Sequence, residues 1–185
     1  MIYCAFRLFS ERGINKVNMD AIAAEAGVTK GSLYWHFKSK KEVILAACLR
    51  YYRNWQQKVS QEMRHESSPR AQLERVLRFS VRSCLLDEKN RVFTMEILTL
   101  SLYDRDVRNS WAQFYDSVRN VYINLVEQAV LAGELEAEDI EENVNFMLCT
   151  MEGIKQQALF EPQVCSQESE ERICEQLLGI LGKPL

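Results

Sequence analysis

The sequence predicts an all-α fold with a three-helix N-terminal domain and a larger C-terminal helical bundle, about nine helices in all. Apolar residues recur at three- and four-residue spacing along most of the 185-residue chain, which is the period of a helix with one buried face. The chain has only seven glycines and three prolines, so few positions interrupt a helix. No segment shows the alternating pattern that is typical of a β-strand.

The composition indicates a globular protein with an uneven charge distribution. Hydrophobic residues make up 47% and charged residues 26% of the chain. No run of about eighteen apolar residues could span a membrane and no signal peptide opens the chain, so we expect a cytoplasmic protein. Residues 1–41 contain seven Lys or Arg and three Asp or Glu, whereas the whole chain has a net charge of −3. This basic segment favours a surface for nucleic acid over one for membranes.

The sequence contains no pattern for catalysis or for metal binding. Glycine-rich phosphate loops, nucleophile motifs and His-Glu-x-x-His are all absent, so we predict that the protein is not an enzyme. The six cysteines form no Cys-x-x-Cys pair, and His36 and His65 do not lie at ligand spacing from them. We therefore predict no metal and no cofactor. The cysteines are interpreted as reduced thiols, with a thiol sensor at Cys165 and Cys174 as the alternative.

Three short helices are predicted at the N-terminus. Helix 1 covers residues 1–12 and ends at Gly13. Helix 2 follows Asn18, a residue type that favours the N-cap position, and ends at Gly27, since glycine adopts the left-handed conformation without steric cost. Thr29 then caps helix 3.

Helix 3 combines an inward pair with an unusual outward set. Leu33 and Phe37 are four residues apart and are expected to point at the core. The outward residues are Lys30, Gly31, Ser32, Tyr34, Trp35 and His36, followed by Lys38, Lys40 and Lys41. Two short helices with donors and aromatic rings on the second predict a helix-turn-helix, whose second helix enters the DNA major groove. The alternative is that the rings are half-buried packing residues and the lysines a solvated face.

The same segment resembles the signature of the TetR family of bacterial transcriptional repressors, with a tetracycline-repressor-like helix-turn-helix. The matching pattern is Ala23-x-x-Ala26-Gly27-Val28-Thr29-x-Gly31-x-Leu33-Tyr34-x-His36-Phe37-x-x-Lys40. The resemblance covers roughly a quarter of the chain. The family usually carries a basic arm before helix 1, and contacts from such an arm stay open here.

The resemblance implies a DNA-binding domain at residues 1–41 and a ligand-binding and dimerisation domain at residues 42–185. It implies that helix 3 reads base edges while Tyr34 and Lys40 hold phosphates. The predicted DNA-binding residues are Asn18, Thr29, Lys30, Gly31, Ser32, Tyr34, Trp35, His36 and Lys40.

Six further helices are predicted after the helix-turn-helix. Ser39 and Glu42 predict a capping box at the start of helix 4. Helix 6 is apolar nearly all round and is expected to be buried. The predicted helices are helix 4 to about residue 65, helix 5 from Pro69, helix 6 over 92–102, helix 7 from about 107 to Gly133, helix 8 from Asp139 to about 161, and helix 9 over 169–181.

Large aromatic and methionine side chains on helices 5 to 8, with a few polar groups, predict a ligand cavity. The candidates are Phe79, Arg82, Met95, Glu96, Tyr103, Trp111, Phe114, Tyr115, Phe146, Met147 and Thr150. Spacing alone favours a solid core, whereas the resemblance implies a small effector, for which we expect an apolar or aromatic molecule.

Helix 9 carries an apolar stripe and comes last, where nothing later in the chain can cover it. Together with helix 8 it predicts a homodimer with a four-helix, two-fold symmetric interface. The predicted interface residues are Gly153, Gln156, Gln157, Phe160, Ile173, Leu177, Ile180 and Leu181.

These features together predict a homodimeric repressor of a palindromic double-stranded DNA operator. A small-molecule effector is expected to release it by acting through helix 4, the only covalent link between the two domains. The alternative is a dimeric small-molecule-binding or protein-interaction module whose helix-turn-helix is not a ligand-controlled switch.

Overall fold

Nine α-helices make up most of the structure, a computed structural model that describes all 185 residues. The helices are α1 (Ile2–Arg12), α2 (Met19–Glu25), α3 (Lys30–His36), α4 (Lys40–Met63), α5 (Pro69–Ser80), α6 (Glu88–Leu100), α7 (Arg105–Leu131), α8 (Ile140–Gln157) and α9 (Glu170–Leu181). Short 3-10 helices cover Ile14–Lys16, Pro162–Cys165 and Gln167–Ser169, and a π-helix covers Val81–Leu86. The predicted all-α fold is confirmed. No helix combines the length and the apolar character that crossing a membrane requires.

The helix-turn-helix begins and ends where its local chemistry predicts. The Asn18 Oδ1 atom accepts a hydrogen bond from the Ala21 N–H at 2.8 Å, and Thr29 Oγ1 accepts one from the Ser32 N–H at 3.1 Å. Gly27 follows α2 with a φ of +66°. Side-chain caps and a left-handed glycine therefore set the bounds of α2 and α3.

The chain forms two compact units. The first contains Met1–Trp55 and Glu88–Phe114, and the second contains Gln56–Asp87 and Tyr115–Leu185. These units differ from the predicted division after residue 41, because α6 and the start of α7 group with the N-terminal helices.

Aromatic rings form much of the core of the first unit. The Trp111 and Phe114 ring centroids lie 4.8 Å apart, and Tyr51 contacts both rings at 5.7 and 5.6 Å. Phe93 of α6 contacts Phe6 of α1 at 4.8 Å. This last contact packs α6 against the first helix of the chain.

The prediction that helix 6 is buried is confirmed for one face only. Phe93, Thr94 and Ile97 are buried, whereas Leu98 and Leu102 are 38% and 65% exposed. Packing covers one face of α6, whereas Leu98 on another face and Leu102 just beyond the helix are exposed.

The second unit packs α9 against α5 and α8. Ser68 caps α5, and Pro69 occupies the first turn, where its missing N–H costs nothing. At the other end of α5, the hydroxyl of the fully buried Tyr122 donates to Ser80 Oγ at 2.8 Å. The partner satisfies a polar group that would otherwise be costly to bury.

A short antiparallel pair of strands corrects the prediction that the chain has none. β1 (Leu135–Glu136) pairs with β2 (Lys183–Pro184) in the second unit. A Cβ atom at Gly182 would lie 2.8 Å from the Glu136 carbonyl oxygen. Glycine permits this close approach of the two backbones. Pairs this short carry too few residues to show an alternating pattern in a sequence.

Candidate DNA-binding site

The exposed face of α3 is the candidate site. Leu33 is fully buried and anchors α3 in the first unit, whereas Tyr34 and Trp35 are 38% and 74% exposed. The Trp35 and His36 rings meet edge to face, with centroids 4.6 Å apart, which restricts the more exposed ring. The other exposed predicted residues are Asn18, Thr29, Lys30, Gly31 and Ser32.

Two lysines after α3 donate to backbone carbonyls. The Lys38 ammonium donates to the Tyr34 and Trp35 carbonyls at 3.2 and 3.4 Å, which satisfies acceptors at the end of the helix. Lys40 Nζ donates to the Ile14 carbonyl at 2.8 Å. Partial burial lowers the pKa of Lys40. The predicted phosphate ligand Lys40 is thus also a contact that holds the 14–16 turn.

Lys41 joins the N-terminus of α4 to the start of α7 within the first unit. Its ammonium lies 3.1 Å from Asp104 Oδ2 and also pairs with Asp106, and these bonds raise the pKa of Lys41. Asp104 Oδ1 additionally accepts from the Asp106 and Val107 N–H groups at 2.9 and 3.2 Å. Asp104 therefore caps α7 and holds Lys41 at the same time.

The fourth lysine, Lys30, pairs with Asp20 of α2. Its ammonium lies 2.8 Å from Asp20 Oδ1 and 3.0 Å from Oδ2, and this hydrogen bond raises the pKa of Lys30. All four lysines between residues 30 and 41 thus donate to acceptors inside the protein. The predicted DNA contacts of Lys30 and Lys40 did not include these partners, although an acid on the preceding helix of the same motif is a candidate partner for Lys30.

Glu96, predicted to line an effector pocket, instead holds the turn after α1. Its Oε2 accepts from the Ile14 N–H at 2.6 Å. Gly13 has a φ of +80°, and a Cβ atom there would lie 3.5 Å from both Glu96 carboxylate oxygens. Through this contact α6 also holds the N-terminal helices, and the predicted route of a signal through helix 4 stays a prediction.

Asp104→Ala is expected to lower the melting temperature at neutral pH, because it removes both a helix cap and a partner of Lys41. Asp106→Ala, which removes only the ion pair, is the matched control and should have a smaller effect. Hydrogen bonds from the Val107 backbone and from Lys41 hold the pKa of Asp104 below its ordinary 3.8. The contribution of Asp104 to folding stability is therefore complete above the ordinary pKa of the carboxyl group. It is lost as the pH falls through the lower pKa of the folded state. Thermal melts from pH 7 to pH 2 check this, and equal losses in the two variants would contradict the capping role.

The eleven predicted effector residues are not gathered in one unit. Met95, Glu96, Tyr103, Trp111 and Phe114 belong to the first unit, and Phe79, Arg82, Tyr115, Phe146, Met147 and Thr150 belong to the second. Tyr103 and Phe146 are 85% and 64% exposed, so neither lies in an enclosed cavity of its own unit. Trp111 and Phe114 lie in the ring cluster of the first core, as the solid-core alternative expects.

Polar predicted residues of the second unit have partners within it. Arg82 Nε donates to Glu170 at 2.8 Å. The Tyr115 hydroxyl donates to Glu152, which also accepts from Lys155 at 2.6 Å. Burial raises the pKa of Tyr115, so this hydroxyl keeps its proton at neutral pH.

An open groove of about 330 Å³ lies along α5 in the second unit. Its lining residues are Glu62, Glu66, Ala71, Glu74, Arg75, Arg78, Phe79 and Arg82. The groove includes Phe79 and Arg82 of the predicted effector set, but its walls are ion pairs such as Arg75–Glu62 at 2.7 Å. Charged walls of this kind do not suit an apolar or aromatic effector.

The predicted dimer residues fall into two groups. Gly153, Gln156, Gln157 and Phe160 are exposed, and Ile180 is half-buried. Ile173, Leu177 and Leu181 are at most 4% exposed within the single chain. The sequence showed only that nothing later in the chain covers the stripe of helix 9, and in the structure the earlier helices α5 and α8 cover it.

Comparison with known proteins agrees with this architecture. Residues 4–47 match the model of the family described as bacterial regulatory proteins, tetR family. The chain is 25% identical over 177 residues to the HTH-type transcriptional regulator AcrR of Shigella flexneri. The aligned residues cover 91% of this chain and 80% of that protein. A transcriptional regulator of Saccharomonospora viridis, solved in complex with choline, has the same fold, with a TM-score of 0.85 at 20% identity over 97% of this chain and 92% of that one. The SmeT–triclosan complex superposes with a TM-score of 0.77 at 23% identity, over 96% and 88% of the two chains.

The N-terminal helix-turn-helix and these similarities are those of a helix-turn-helix transcriptional regulator. Its N-terminal segment, residues 4–47, is similar to the bacterial regulatory proteins of the tetR family.

Proposed function

We propose that this protein is a homodimeric repressor that binds a palindromic DNA operator in the cytoplasm and releases it when a small molecule binds. The observation that carries the proposal is the exposed face of α3, which presents donors and two aromatic rings on a capped, well-anchored motif. One helix-turn-helix reads only a few base pairs. Specific binding therefore requires the N-terminal DNA-binding domains of two chains, here called heads, on one site.

The proposed DNA-binding domain is residues 1–41. Lys30, Gly31, Ser32, Trp35 and His36 face the major groove, with Asn18 and Thr29 beside the backbone. Tyr34 and Lys40 hold phosphates, since an ammonium has three N–H donors and Lys40 uses one on the Ile14 carbonyl.

Residues 42–185 are proposed to provide dimerisation and effector binding. The outer face of α8 supports a dimer: Phe146, Cys149, Gly153 and Gln157 follow one another at helical spacing, all are exposed, and Phe160 continues the row just beyond the helix. An apolar patch of this kind on one face is typical of an interaction surface.

An effector is proposed because two proteins with this fold were solved with small molecules, choline and triclosan. Its signal would reach the head through α4 and through α6, which contacts the 14–16 turn by way of Glu96. The effector can change operator affinity only by its differential affinity for two states, typically about 5- to 150-fold.

Selection from random double-stranded DNA tests the proposal directly. The full-length protein should enrich one palindromic sequence whose half-sites are about one helical turn apart. Failure to enrich any sequence at low salt would contradict DNA binding. Enrichment of a single, non-repeated half-site would contradict the dimer.

Lys30→Ala and Lys40→Ala should affect the selected site differently. Lys30→Ala should flatten the preference at one base pair in each half-site, because base contacts carry sequence information. Lys40→Ala should weaken all DNA sequences alike and lower the salt slope by roughly one unit per head. Fluorescence anisotropy at several salt concentrations measures both effects, and unchanged binding in both variants would contradict the assignments.

A regulator without a ligand switch is the second candidate, and the close packing of Trp111 and Phe114 favours it. Titration of tryptophan fluorescence with apolar, aromatic and quaternary ammonium compounds, with and without the selected DNA, separates the two. An effector must lose affinity in the presence of DNA by the factor by which it weakens DNA binding. A compound that binds equally well in both cases would support the second candidate.

A further inference from the structure

We infer that Asp20 is a positioning residue for DNA reading, because its carboxylate fixes the Lys30 ammonium at the amino end of α3. The inference rests on the proposed function, in which α3 lies in the major groove. It assigns a role in base selection to a residue of α2, outside the helix that reads the bases.

The backbone holds both partners in defined places. Asp20 is the second residue of α2 and lies within the first turn, which Asn18 caps. A carboxylate in the first turn is favoured by the helix dipole. Lys30 is the first residue of α3, directly after the cap Thr29. Each helix start therefore supplies one partner of the pair.

The pair joins both oxygens of the carboxylate to one nitrogen. Lys30 Nζ lies 2.8 Å from Asp20 Oδ1 and 3.0 Å from Oδ2. The two side chains are 61% and 60% exposed, and an ion pair this exposed contributes little to folding stability. Its principal consequence is the place in which it holds the lysine.

The held ammonium keeps donors for DNA. An ammonium has three N–H groups, and guanine presents the O6 and N7 acceptors in the major groove that lysine contacts. A lysine side chain has a flexible four-carbon stem, so an unheld Lys30 would also reach phosphate oxygens along the groove. Asp20 opposes this in two ways: it restrains the stem, and its negative charge repels phosphate. The pair therefore directs Lys30 toward a guanine.

Asp20→Asn is expected to raise affinity for arbitrary DNA and to reduce base preference. Removing one negative charge from each head favours binding to any phosphate backbone. At the base pair that Lys30 reads, the preference for guanine should fall at least about fivefold, the lower bound for a specific base contact. Asp20→Glu, which keeps the carboxylate, should restore most of that preference.

The test measures binding of the full-length variants to the selected site, to its single-base-pair variants and to unrelated DNA. Glu11→Gln is the charge-matched control, because Glu11 forms a similarly exposed pair with Lys89, at 3.1 Å in the same unit. It should raise affinity for all sequences without changing any base preference. In the double variant Asp20→Asn/Lys30→Ala, the preference should equal that of Lys30→Ala alone, since Asp20 acts through Lys30.

Three results would overturn the inference while leaving the proposed function intact. They are an unchanged preference at every base pair in Asp20→Asn, an equal change in Glu11→Gln, and a further loss in the double variant. If no DNA sequence is enriched by the unaltered protein, the proposed function itself is wrong, and the inference falls with it.

Discussion

Replacing Phe146 and Phe160 together with aspartate is expected to give a folded monomer that binds the operator roughly 100-fold or more weakly. The two rings are 64% and 84% exposed in the single chain and lie on one face with Gly153. Charges placed there would be buried without partners in a two-fold interface, so the dimer should dissociate. Each DNA-binding domain would then bind alone, without the gain in operator affinity that a second, linked DNA-binding domain provides.

Sedimentation velocity, circular dichroism and DNA-binding anisotropy together check this expectation. Leu131→Asp is the matched control, because it places the same charge on another apolar residue of the second unit, 79% exposed at the end of α7. The control should remain dimeric and bind the operator. A double variant that sediments as a dimer would contradict the assignment of the α8 face.

Leu177→Ala is expected to reduce the free energy of unfolding by about 2–5 kcal/mol without dissociating the dimer. Leu177 is 1% exposed within the single chain, so its truncation leaves a cavity between α9 and the helices that cover it. This result would show that Leu177 belongs to the core of the single chain and not to the predicted dimer interface.

Urea unfolding, with sedimentation at protein concentrations where the variant is folded, measures the two properties separately. Gln176→Ala is the control, because Gln176 is the exposed neighbour of Leu177 on the same helix and contributes little to the core. A Leu177 variant with unaltered stability that sediments as a monomer would show that the residue belongs to the interface.

The helix-turn-helix could be predicted from the sequence because its signals act over a few residues. The caps at Asn18 and Thr29 and the left-handed Gly27 each need only neighbours within one turn. The same short range explains why the exposed set on α3, including Trp35, was identified correctly as the outer face. In a helix, a buried Leu33 turns its immediate neighbours Tyr34 and Trp35 toward other faces.

The effector and dimer residues could not be assigned in this way, because a periodic stripe shows that a face is covered without showing what covers it. The stripe of α9 contains Leu177 and Leu181, and it predicts burial equally well against another chain or against earlier helices. In the structure α5 and α8 cover it. Glu96 was likewise placed by its helix in a candidate pocket, whereas its carboxylate caps a turn 82 residues away in the chain.

The amino-acid sequence determined the presence of the helices, the ends of α2 and α3, the helix-turn-helix and the exposed face of α3, because propensity, capping and periodicity are local. Tertiary structure alone decided that Lys30 pairs with Asp20, that Lys41 pairs with Asp104, and that α6 packs against α1. These contacts join residues of different helices, and their formation depends on how the helices are arranged around a shared core. The pairing of the charged side chains around α3 is therefore set by the folded domain and not by the segment that carries them.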